Sequence, residues 1–130
     1  MEWNSVKTQM DVDNLNILFG NFHDCCLKEL CFSTGGFVDK NYAMAVTSLP
    51  VARLFFQRQA RDPAVIEIEF KHVIQINIKP VKENEGVDII ATQLYFKDGI
   101  FFWSERDFEF HEKEKDESTW IAARSVRWRV

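Results

Sequence analysis

The side chains best able to do chemistry together lie in one short segment, Asn21-Phe22-His23-Asp24-Cys25-Cys26. It places an imidazole, a carboxylate and two thiols side by side. Nucleophilic catalysis would need a thiolate held by an imidazole that a third group orients. Alternate residues of a strand share a face, so His23 and Cys25 could lie together while Asp24 points away. A thiol-dependent hydrolase using His23 with Cys25 or Cys26 is one expectation. Nothing nearby supplies an oxyanion hole, and each residue also has a plain structural role. Asp24 can cap or pair, His23 can hydrogen-bond the turn, and the cysteines can fill small core spaces. The structural roles are preferred, and no catalytic residue is assigned.

A metal could draw on His23, Cys25 or Cys26, Cys31, His72 and His111, but their spacings match no zinc pattern. Neither a metal nor another cofactor is expected. Gly35-Gly36 and Asp98-Gly99 are turn glycines without the spacing or following helix of a phosphate loop.

The candidate binding residues are His23, Asp24, Arg58, Arg124, Trp120 and Trp128. Arg124 falls on the strand face expected to carry Trp120, Ala122, Val126 and Trp128. A guanidinium there must pair with a carboxylate, stack on an indole or reach solvent along its stem. Asp24 is the partner considered, which would tie the first strand to the last. Arg58 belongs to the polar run Gln57-Arg58-Gln59-Ala60-Arg61-Asp62, either a recognition patch or an ordinary strand end.

The elements that must position these groups are mostly strands. One short helix is expected, capped by Asp11 or Asp13, carrying Leu15, Leu18, Phe19 and Phe22, and stopped at Gly20-Asn21. Cys25 to Phe32 predicts a first strand. Tyr42, Met44 and Val46 alternate in a second, and Arg53 to Gln59 form a third with Leu54 and Phe56 on one face. Ile66, Ile68, Phe70, Ile74, Ile76 and Ile78 alternate with polar residues, which predicts a half-buried antiparallel strand, or two joined by a bend at His72. Val87 to Phe96 and Ile100 to Glu105 read as a hairpin through Lys97-Asp98-Gly99. A final strand runs from Thr119 to the C-terminus. No strand–helix alternation points to a parallel sheet.

The expected fold is mainly β, on the border of α+β. It is a single curved antiparallel meander sheet or open barrel of about seven or eight strands, with one N-terminal helix. A two-sheet sandwich is the alternative. All 130 residues are read as one domain, a length that can bury a core without staples. Twelve Phe, four Trp and two Tyr suit pleated surfaces and large cores.

The net charge of −4 argues against a nucleic-acid binder. The segment Glu105–Glu117 carries seven acids against three bases and suits a basic partner. No stretch approaches a membrane span, and three cysteines without a disulfide framework fit a reducing cytoplasm.

The run N-F-H-D-C-C-L-K-E-L, Asn21 to Leu30, resembles the F-H-D segment that leads into a strand in several small bacterial β-rich proteins. Some of these resemble immunity proteins of polymorphic-toxin systems. The segment Ile121 to Arg129 is similar in flavour to their closing strand. The resemblance implies a small cytoplasmic protein that binds a partner and has no catalytic residues to carry over. A non-enzymatic, immunity-type binder of a protein partner is the leading expectation. The alternatives are a small-molecule carrier with an aromatic-lined pocket and the thiol hydrolase. A homodimer closing an open edge at the last strand is also considered.

Overall fold

In a computed structural model, residues 2–59, 61–81, 86, 89, 92–106 and 118–130 are described. Nine strands and one α-helix follow in the order β1 (Asn4–Val6), α1 (Gln9–Leu18), β2 (Cys25–Ser33), β3 (Gly36–Val38), β4 (Met44–Val46), β5 (Val51–Arg58), β6 (Val65–Asn77), β7 (Leu94–Lys97), β8 (Ile100–Ser104) and β9 (Trp120–Arg129). Seven strands form one antiparallel sheet of order β2-β5-β6-β9-β8-β7, with β1 added on β9; β3 and β4 pair only with each other. The sheet does not close into a barrel. Among the described residues one isolated bridge joins Cys25, at the start of β2, to Ile89, which lies outside the strands.

Helix α1 starts one turn earlier than the aspartates suggested. Thr8 is the N-cap, its side chain accepting from the Asp11 backbone N–H at 3.2 Å, while Asp11 Oδ2 accepts from the Thr8 N–H at 3.1 Å. That reciprocal pair satisfies two otherwise orphaned donors. Val12, Leu15 and Phe19 are buried, whereas Leu18 is partly exposed. Asn16 pins the helix to β7, its amide exchanging hydrogen bonds with the Leu94 N–H (2.9 Å) and C=O (3.0 Å).

Strand β5 obeys a strict period of two, so Ala52, Leu54, Phe56 and Arg58 all point into the core. At its centre the rings of Phe19, Phe22, Phe56 and Trp103 meet edge to face or tilted, with centroids 5.0 to 6.4 Å apart.

Strand β6 is continuous, but its alternation breaks at His72. This residue has φ +57°, and a register shift follows between Val73 and Gln75. Each irregularity rotates the following side chains by one position. Ile66, Ile68 and Phe70 are therefore buried, Val73 and Ile76 pack against the core, and Ile74 and Ile78 are exposed. The single apolar face is therefore absent, and the break falls where the alternative reading placed a bend.

The polar face of β6 also differs from expectation. Glu67 and Glu69 are both only 6% exposed. Arg129 Nε donates to Glu67 at 2.7 Å and Arg127 Nε to Glu69 at 2.8 Å, and both guanidinium groups stack on Trp3. This cation–carboxylate ladder fastens β1 to the sheet, a strand the residue pattern did not announce.

The hairpin at Asp98-Gly99 is as the turn chemistry requires, with φ +53° and +77° and β7 pairing β8. Residues 87, 88, 90 and 91 of the expected preceding strand lie outside the described residues. Among the described residues β6 flanks one side of β9, and β8 (at Trp120–Ala123) with β1 (at Val126–Trp128) flank the other, so the last strand is not the edge it was expected to be.

Candidate functional site

The junction between α1 and β2 turns on a run of left-handed residues. Gly20, Asn21, Phe22 and Asp24 all have φ between +53° and +58°. A non-glycine residue in this region costs free energy, and a bulky one is a genuine outlier. The turn is held by Phe22 N–H donating to the Phe19 carbonyl and His23 N–H to that of Gly20, both at 3.0 Å, while the Phe22 ring is fully buried. Core packing thus offsets the backbone strain.

Beside this turn, an open cleft of about 390 Å³ is lined by Asp24, Cys25, Cys26, Gln57, Arg58 and Val65, among others. It forms where β2 and β5 begin their pairing, with Cys25 opposite Arg58 and Cys26 opposite Gln57. His23 Nδ1 lies 3.0 Å from Asp24 Oδ2, and both side chains are more than half exposed. Neither cysteine has a hydrogen bond to His23. Burial, then the adjacent Cys26, pushes the Cys25 thiol up to about 12. Burial and the missing hydrogen bond to His23 both disfavour a Cys25 thiolate.

Arg58 is the site's most constrained side chain, at 8% exposure. Its Nε donates to the Pro63 carbonyl at 2.8 Å, and Nη2 donates to Leu18 O at 3.2 Å and Asp62 O at 3.0 Å. Leu18 closes α1, so Arg58 satisfies a helix C-terminal carbonyl with a positive charge, the sign that end favours. The guanidinium also lies 4.5 Å from the centroid of the Phe19 ring. Burial, then the like charge of Arg61, draws its pKa below the usual range without discharging it.

Of the expected binding residues, His23, Asp24 and Arg58 gather at this junction and the other three do not. Trp120 is buried with Phe102 and Ala122 in a second cluster, whereas Trp128 packs against the main core. They therefore do not share a face. Arg124 is exposed and has no ion pair with Asp24, because β5 and β6 separate their strands by about 14 Å. Arg61 belongs to the polar run read as a recognition patch or strand end and Gly20 to the expected helix stop, but nothing in the sequence placed the two together. The inward alternation of β5 was the signal for a buried Arg58; no local pattern foretold its neighbours.

The opposite end of the β2–β5 pair carries the β3–β4 hairpin. Phe37, Val38, Tyr42, Met44, Val46 and Leu49 there are between 42% and 92% exposed. The expected second strand is thus half of a hairpin outside the main sheet, with Tyr42 in its turn at φ +63°. Gly35 at its base, φ +82°, cannot carry a side chain, since a Cβ would collide with the Ser48 carbonyl oxygen. Asp39 Oδ1 accepts from Asn41 N–H (2.8 Å) and Ala43 N–H (3.0 Å), shaping the tip.

Among the described residues no three potential metal ligands come together, and no helix is long and apolar enough to cross a membrane. His111 and all but the start of the acidic segment Glu105–Glu117 lie outside the described residues. Comparison with family models, with curated proteins and with solved structures finds no match to this chain.

Proposed function

We propose that this chain is a non-enzymatic binding protein whose partner is another protein, docked on the β3–β4 hairpin. One observation carries the proposal: six large apolar side chains of residues 37–49 stand outside the core on a backbone that is paired and turn-locked. Scattered exposed apolar residues are normal, but six gathered on one short hairpin segment, residues 37–49, favour an interaction surface. A hairpin offers such a partner side chains on both faces, in a fixed register Phe37–Ala45 and Val38–Met44.

The cleft chemistry points the same way by default. The Cys25 thiol is neutral, and the rings that would line a carrier's pocket are packed against each other. An immunity-type partner, a toxin, is the finer form of the proposal and is supported by the F-H-D resemblance of Asn21–Leu30.

The test replaces Tyr42, Met44 and Val46 together by serine. Partner binding should be lost while the unfolding midpoint stays unchanged, and light scattering reveals whether the partner is a second copy. Undiminished binding by the folded triple variant would overturn the hairpin assignment.

A further inference from the structure

Arg58 has one guanidinium nitrogen to spare. Nε and Nη2 are taken by three carbonyl oxygens, whereas Nη1 has no hydrogen-bond partner among the described residues and is not sealed from solvent. It lies 3.4 Å from the point where a Cβ on Gly20 would stand. Arg61 Nη1 lies 3.5 Å from the same point. Two cationic groups therefore converge over the one residue of the turn that has no side chain. Among the described residues no carboxylate comes within ion-pair distance of either guanidinium, and that of Asp62 acts on Arg58 only from farther off.

This arrangement is unusual in its charge balance. A buried cation is normally matched by an anion, because carbonyl dipoles replace only part of what water supplied. Arg127 and Arg129, more exposed than Arg58, each have a carboxylate partner. Arg58 has instead a second arginine beside it. Like charges brought together and left unpaired are stabilised by whatever anion arrives, and guanidinium groups match the oxygens of carboxylate and phosphate.

We propose that Arg58 and Arg61 form, over Gly20, a binding site for an oxyanion, a carboxylate or phosphate group. Arg58 supplies the fixed donor, held by Leu18, Asp62 and Pro63. Arg61, exposed and with no hydrogen bond of its own to a described residue, is the arm that closes on the anion. The site lies at the other end of the β2–β5 pair from the hairpin and does not depend on it.

The test is an NMR titration of the full chain with inorganic phosphate and, separately, acetate, at matched ionic strength in chloride. The amides of Gly20 and Arg61 should shift saturably, with phosphate, acetate or both, which identifies the preferred oxyanion. Arg61→Gln should weaken the response at least about tenfold, while Arg61→Lys retains part of it. In chloride alone, Arg61→Gln should melt no lower than the parent, since it removes a repulsion; a purely structural Arg61 would lower the midpoint. Absence of saturable shifts with either anion, or an equal response from Arg61→Gln, would overturn the site.

Discussion

The two ends of the β2–β5 pair, about 25 Å apart along the strands, solve opposite problems. At the Cys25–Arg58 end a charged side chain is taken inward, and every hydrogen bond it donates goes to a backbone carbonyl, of Leu18, Asp62 or Pro63. At the Ser33–Val51 end apolar side chains are pushed outward on a hairpin whose own backbone is fully shaped. The first end joins helix, loop and sheet, so stability is concentrated there. The second contributes little to the core and is free to be a surface. Damage to one end should therefore unfold the chain, and damage to the other should only silence it.

The largest effect is expected from Arg58→Met. It leaves three carbonyls without their donor, and we expect a loss of about 2–4 kcal/mol in urea unfolding. A loss below about 1 kcal/mol would mean that water takes over the guanidinium's role and that the two ends do not differ as described. Next comes Trp3→Ala, which strips the stack from Arg127 and Arg129 but leaves their carboxylates in place. A loss of about 1–2 kcal/mol is expected, so paired arginines should prove less sensitive than the unpaired one. Thr8→Ala removes the cap of α1 and should cost about 1 kcal/mol by the same assay.

Thiol reactivity grades the cleft itself. Raising the Cys25 pKa from 9.0 to about 12 cuts its thiolate fraction at neutral pH by about a thousandfold. Alkylation at pH 7.5 should modify the exposed Cys31 first and Cys25 only through opening of the fold. The same shift sets a pH dependence. The folded state holds the Cys25 proton more tightly than the unfolded state, so this contribution is complete below pH 9. It is lost as pH rises from there toward 12. Early modification of Cys25 in the folded protein would return the thiol to consideration as a nucleophile. Smallest of all is the stability change of the hairpin triple-serine variant, expected within about 0.5 kcal/mol.

What was legible in the residues was whatever a local rule decides. Asp98-Gly99 has to turn, because both residues take positive φ at low cost, and the strands on either side follow. Leu54 and Phe56 alternate inward because nothing interrupts β5. The failures have equally specific causes. The bend considered near His72 is present, but the register shift after Val73, which leaves Ile74 exposed, has no signal in the composition. Asn4 to Val6 is too short to show a period, yet it pairs with Val126 to Trp128 at the far end of the chain. The arginine cleft was only half visible. His23, Asp24, Arg58 and Arg61 stood out by type, but the approach of both arginines to Gly20 is made in space, across about 40 residues of sequence.

The most direct measurement places a photo-crosslinking residue at position 44, and in a second preparation at position 124, an exposed site on β9. Irradiated in its native cells, the position-44 protein should join to one discrete partner protein, and the position-124 protein should not. Equal crosslinking from both positions, or none from position 44, would contradict the hairpin as the docking surface.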